Sequence, residues 1–400
     1  MTASTLRRMT PRRRDEPHRA ATPLELLFDL CFVVAVAQAG SRLVHALAED
    51  HAGHGAAGYV FTFFGIWWAW MNFSWFASAY DTDDVPYRVA TLVQIAGVLV
   101  FAAGVPSAFD RSDWLISVIG YVIMRLALTF QWLRAARAAN GPARRTALVY
   151  AAGVVACQLG WVGLLWVPAG RWQPVCFVVL IVAELSVPLL AERGHTTPWH
   201  PEHIAERYGL FTLIVLGETV SAATLAVQSA LDEHDALDRL LPIAAGGLLI
   251  VFAAWWIYFA VPIHGHLRSN RQAIPWGYGH YAVFASAAAI GAGIEVSVEQ
   301  AVGATRLDVT AASAAVTVPT AVYLLTLWLL HARHYKRGPL QQAVLPVTSV
   351  AVLAVTFTGR AAVPCAGVIC ALAVAVGVTL AARTGEGPSD EEEAGAEAEE

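Results

Sequence analysis

The sequence predicts an all-α polytopic membrane protein with about twelve transmembrane helices. Two bulk observations carry that reading. The 400 residues are 57% hydrophobic and only 14% charged, where a soluble domain is nearer a quarter charged. Apolar stretches near the ~20 residues that cross a bilayer recur along almost the whole length, which leaves no room for a soluble domain. A third observation is the distribution of basic residues, described below.

In chain order, residues 1–21 form a basic tail with Arg7, Arg8, Arg12, Arg13, Arg14 and Arg19. It is expected to be disordered and cytoplasmic. It does not read as a cleaved signal peptide, because the following apolar run is too long and carries Glu25 and Asp29. Residues 22–192 form a first six-helix half, with spans at 24–46, 57–79, 88–109, 114–138, 147–167 and 172–192. Residues 193–383 form a second, with spans at 207–228, 239–261, 277–299, 310–332, 341–358 and 361–382. The last division rests on Gly359-Arg360. Residues 384–400 are an acidic tail, also expected to be disordered.

With the N-terminus inside, the cytoplasmic segments hold roughly three times as many Arg and Lys as the outer ends. The outer ones are Arg42, Arg111, Arg171, Arg239, Arg306 and Arg360. An odd number of spans would scramble this pattern, so both termini are expected in the cytoplasm. Trp114, Trp161, Trp166, Trp172, Trp276 and Trp328 fall near span ends, as interfacial anchors do. Trp67, Trp68, Trp70, Trp255 and Trp256 lie deeper and are expected to pack between helices.

A parallel repeat of six helices is suggested by two short matches. FDLCFVVAVAQ (28–38) aligns with YGLFTLIVLGE (208–218) at an offset of 180, which sets Gln38 opposite Glu218. The tryptophan pairs align at an offset of 188. Transporters built from such repeats hold their site between the halves.

Ionisable groups within spans are costly and point to function or to pairing. Thr22-Pro23-Leu24-Glu25 reads as a capping box that starts the first helix. Asp29 is one turn deeper, roughly 9–10 Å past the N-cap, and needs a cation, a donor or a proton. Gln38 and Arg42 lie on roughly the opposite side of that helix. Arg125 and Glu184 are mid-span, and pairing between them, or of Arg125 with Asp29 or Glu218, would satisfy both charges. Glu218 sits near the bilayer middle and is the strongest candidate for a proton- or cation-binding carboxylate. Glu295 is a secondary one.

On the cytoplasmic side, Asp81, Asp83 and Asp84 break the positive-inside pattern, and either bind a cation, pair with Arg88 or cap the next helix. His200, His203 and Glu206 recur at helical spacing. Metal binding there is a weaker reading than helix-end packing or pairing with Arg207, because the spacing is not H-E-x-x-H and no cysteine joins it. Cys31, Cys157, Cys176, Cys365 and Cys370 lie in apolar stretches as small apolar residues. No nucleotide loop or nucleophile elbow is present, and no cofactor is expected.

LELLFDLCFVVAVAQ (24–38), AYDTDDVPYR (79–88) and HIAERYGLFTLIVLGETV (203–220) together resemble the bacterial low temperature requirement protein A (LtrA) family, in the family's order. The resemblance covers about residues 20–380. It departs at Leu27, where the family usually carries phenylalanine. It implies a bacterial integral membrane protein and marks Glu25, Phe28, Asp29, Asp81, Asp83, Asp84, His203, Glu206 and Glu218 as motif positions. It implies no substrate.

The function these residues favour is transport or conduction of a small solute or cation in the bacterial inner membrane. The alternatives are an enzyme acting on a lipid or isoprenoid at the cytoplasmic face, and a non-catalytic scaffold or stress-related sensor. The expected partners are the lipid bilayer, a small solute or cation and a second copy of the chain. Nucleic acid is not among them.

Overall fold

A computed structural model describes residues 7–13, 16, 19–233, 237–336 and 338–384. Among them, all regular structure is helical, and twelve helices have sixteen residues or more. In order they are α1 (Pro23–Ala48), α2 (Ala52–Tyr80), α3 (Val85–Arg111), α4 (Leu115–Ala138), α5 (Gly141–Leu164) and α6 (Trp172–Ala191). These are followed by α7 (Pro201–Glu233), α8 (Leu237–Phe259), α9 (Asn270–Val302), α10 (Val309–Leu327), α11 (Pro339–Ala354) and α12 (Ala362–Thr384). The chain is thus a multi-span helical membrane protein.

Among the described residues, ten stretches are long and apolar enough to cross a membrane. Two features separate that number from the expected twelve. Helix α2 is 29 residues long without an Asp, Glu, Lys or Arg, but its Trp, Tyr, Asn, Ser and His residues lower its hydropathy. It is held inside the bundle, with Trp67, Trp68 and Trp70 at most 2% exposed. The stretch Pro339–Arg383 is one apolar run by composition. It is broken at Gly359, whose φ of 65° and ψ of −131° only glycine adopts freely, and α11 then packs on α12.

The bundle has two ends. The end of α2, the start of α3, the end of α4 and the start of α7 meet the N-terminal segment, and we call this the proximal face. Arg42 at the end of α1 meets Asp110 at the end of α3 at 3.3 Å on the distal face. Helix neighbours recur six helices on. The pairs α1–α3, α3–α4, α4–α5 and α5–α6 are matched by α7–α9, α9–α10, α10–α11 and α11–α12. The pair α8–α12 has no counterpart as close. There Gly246 and Gly367 let the backbones touch, since a Cβ on Gly367 would lie 2.5 Å from the Gly246 carbonyl oxygen.

Trp255 and Trp256 do not pack between helices. They are 45% and 49% exposed, because α8 turns them to the outside, where lipid rather than protein meets them. The described part of the basic tail lies against the proximal face. Met9 is 2% exposed, the Arg7 backbone N–H donates to Asp84 at 2.9 Å, and Arg19 donates to the carbonyls of Ala77 and Ser78 at the end of α2. The acidic tail lies outside the described residues.

Candidate functional site

Helices α1 and α7 face each other with matched one-turn spacings. Residues 25 and 29 on α1 stand opposite 203 and 207 on α7. The capping box is present: Thr22 Oγ1 accepts from the Glu25 N–H at 3.3 Å, and Glu25 Oε2 accepts from the Thr22 N–H at 2.8 Å. Glu25 therefore starts the helix and also reaches α7. Its Oε1 lies 3.2 Å from His203 Nε2 and 3.0 Å from Arg207 Nη1. The second is an ion-pair contact without hydrogen-bond alignment. One turn on, Asp29 accepts from Trp70 Nε1 at 2.7 Å, Arg207 Nε at 3.1 Å and Arg207 Nη2 at 2.5 Å. All five side chains are sealed from solvent. Two carboxylates thus share one guanidinium. Arg19, also buried, stands near Glu25. Burial lowers its pKa, and the Glu25 charge opposes that.

The second group lies on the same helices nearer the distal face. Glu218 is eleven residues beyond Arg207, about 16 Å along α7 at 1.5 Å per residue. It lines an open cavity of about 530 Å³ between α1, α7 and α9, with Gln38, Ser41, Thr219, Glu295 and Glu299. The lining continues to Val302 and Ala304 beyond the end of α9, so the cavity reaches the distal face. Among the described residues no side chain donates to Glu218 or Glu295. Thr219 is turned away, donating to the carbonyls of Val215 and Ala287. Asp29 does not line this cavity, so Asp29 and Glu218 do not share a site.

The third group is a fully paired carboxylate in the first half. Glu184 accepts from Trp68 Nε1 at 2.9 Å, Arg125 Nη2 at 2.8 Å, Tyr121 Oη at 3.1 Å, Trp161 Nε1 at 3.2 Å and Gln158 Nε2 at 3.3 Å. Five donors from three helices, α2, α4 and α5, converge on one residue of α6. The partner of Arg125 is therefore Glu184, not Asp29 or Glu218.

The acids after α2 are each engaged separately. Asp83 holds Arg88 through two bonds of 2.7 and 2.8 Å, and this contact lowers its pKa. Asp84 caps α3 at the Tyr87 N–H and pairs with Arg134 at 2.6 Å. Asp81 lies 3.9 Å from Arg12, and burial together with the Glu25 charge pushes its pKa up to about 6. His200, His203 and Glu206 do not converge. His200 Nε2 bonds the Glu16 carbonyl at 2.9 Å, His203 faces Glu25, and Glu206 accepts from the Ala21 N–H at 3.1 Å. Among the described residues no three His, Cys, Asp or Glu side chains are arranged to hold a metal ion.

The model of the bacterial low temperature requirement A protein (LtrA) family matches residues 20–382. The chain belongs to the LtrA family. It is 29% identical over 247 residues to the uncharacterized protein RA0937 of Rhizobium meliloti (strain 1021), a stretch that covers 59% of this chain and 57% of that protein. The family match spans all three carboxylate groups of this LtrA chain.

Residues that the sequence did not place beside Asp29 complete the first group. Arg207 stands two turns inside α7, because that helix begins at Pro201. The apolar run alone places it at a membrane edge. Pro201 at the first helical turn followed by Glu202 was the available signal. Trp70 and Arg19 carry no local signal of their roles, since both act on residues far away in the chain.

Proposed function

We propose that this LtrA chain moves a small cation, or a solute coupled to one, across the bacterial inner membrane, with both termini cytoplasmic. The observation that supports this is the cavity of about 530 Å³ holding Glu218, Glu295 and Glu299. It opens at the distal face and stops short of the sealed Glu25–Asp29–His203–Arg207 group. Carboxylates without protein partners inside membrane helices are costly unless a cation, proton or water meets them. The three glutamates are not gathered as metal ligands, which suits a hydrated cation passing through. The two short matches and the recurring helix neighbours support a pair of six-helix repeats, with α1 and α7 as the equivalent first helices.

The sealed group supplies a barrier. Glu25 and Asp29 share the Arg207 guanidinium, and the buried Arg19 near Glu25 adds a second positive charge. Re-pairing among these groups would open the path between the cavity and the proximal face. A second reading, a scaffold or sensor, draws on the complete pairing of Glu184. The unpaired glutamates favour the first.

The test is ion and proton flux in proteoliposomes. Native protein should carry proton, sodium or potassium above empty vesicles, and Glu218→Gln should abolish the flux with the fold intact. Native protein that carries none of the three would remove the cation reading.

A further inference from the structure

A second cavity, of about 710 Å³, lies at the proximal ends of α8, α10, α11 and α12. It is remote from the α1–α7–α9 groups. Its walls are apolar, formed by Trp255, Trp256 and Phe259 of α8, Leu345 of α11 and Val374 and Val378 of α12. The aromatic wall is open to the bilayer, since Trp255, Trp256 and Phe259 are 45%, 49% and 39% exposed. Its volume is that of a ligand pocket. In that position the surrounding medium is lipid, so an acyl chain is always on hand to fill it.

Three polar residues, His331, Lys336 and Gln341, line one end of this apolar trough. Lys336 is the chain's single lysine. It follows the last turn of the α10 segment and lines the cavity, and no carboxylate among the described residues lies within ion-pair distance of it. His331, 4% exposed, also lines the cavity. Its Nε2 accepts from Trp276 Nε1 at 3.1 Å. Its Nδ1 lies toward the Tyr258 carbonyl but completes no hydrogen bond. A π-helical turn, Trp328–Ala332, delivers His331 to this wall, and such turns gather at functional sites.

We propose that this cavity binds one anionic phospholipid. An acyl chain lies along the tryptophan wall, and the headgroup phosphate meets the Lys336 ammonium. The unpaired cation makes the site selective for anionic over zwitterionic headgroups, as basic pockets between membrane helices are. A snorkelling lysine without an anion would instead stay in water and leave the trough filled by any lipid.

The experiment is native mass spectrometry of the full chain, delipidated and offered equal phosphatidylglycerol and phosphatidylethanolamine. One phosphatidylglycerol should be retained per chain, in preference to phosphatidylethanolamine. Lys336→Gln should cut that retention about fivefold, the factor matching about 1 kcal/mol for one basic residue near an anionic surface. Gly377→Phe projects from a glycine with nothing within 4 Å of its Cβ position and should displace the acyl chain, removing retention. Glu218→Gln should leave retention unchanged. Equal retention of the two lipids, or phosphatidylglycerol retention that Lys336→Gln leaves intact, would overturn the proposal. The second outcome decides even where Gly377→Phe does not fold.

Discussion

Arg207 on α7 lies across Asp29 on α1, with Nε 3.1 Å from Oδ2 and Nη2 2.5 Å from Oδ1. The guanidinium also reaches Glu25 at 3.0 Å. Helices α1 and α7 are thus joined by charge rather than by apolar packing alone. Removing one partner of such a pair strands the other in a sealed interior.

Asp29→Asn and Arg207→Gln should therefore each cost about 3–5 kcal/mol of stability. The double variant should lose less than the sum of the two, because neither charge is then stranded. Unfolding midpoints in detergent check this, and additive losses would show that the two residues are not coupled.

Glu184 predicts a similar contrast in the first half. Glu184→Gln leaves the Arg125 charge uncompensated and should destabilise by about 3–5 kcal/mol. Arg125→Met combined with Glu184→Met should recover a large part of that loss, since an apolar pair of similar volume avoids the desolvation of two charges. A double variant less stable than Glu184→Gln would refute this.

Asp81 sets a pH dependence. Its pKa is raised from the ordinary 3.8 to about 6 by burial and by Glu25. The folded protein thus holds this proton more tightly than the unfolded chain does. The contribution is full below about pH 4 and is lost as pH rises through 6. The unfolding midpoint of the native chain, taken relative to Asp81→Asn, should fall between pH 4 and pH 7. A constant difference across that range would disprove it.

Gly359→Ala should destabilise by about 1–3 kcal/mol, because the break between α11 and α12 holds a backbone conformation closed to a residue with a Cβ. Gly377→Ala, in a regular helical turn with open space around it, should instead stabilise by up to about 1 kcal/mol, because alanine is the better helix former. Unfolding midpoints of the two variants make the comparison.

Local signals were legible in the sequence and partnerships across the fold were not. The capping box needs four consecutive residues, and its geometry follows from them. The depth of Asp29 follows from helix rise alone. Arg125 needed a carboxylate, but Glu184 is 59 residues away and the choice among acids depends on how α4 and α6 pack. The aromatic runs at 67–70 and 255–256 look alike in sequence yet face opposite environments, because α2 is enclosed by protein around residues 67–70 and α8 has only part of its surface covered. Hydropathy understates α2 for the same reason. Its aromatic residues suit a protein interior better than a lipid one.

The pairing of Asp29 with a residue 178 positions later also bears on biogenesis. The ribosome delivers Glu25 and Asp29 six helices ahead of His203 and Arg207. Until α7 arrives, two carboxylates wait without their cation, and an aspartate at the centre of an inserting helix costs about 2.5–3.5 kcal/mol. The first helix to be made is therefore among the last to be locked in place. A chain stalled before residue 207 holds α1 without the charge that fixes it, in a form that membrane quality control can recognise.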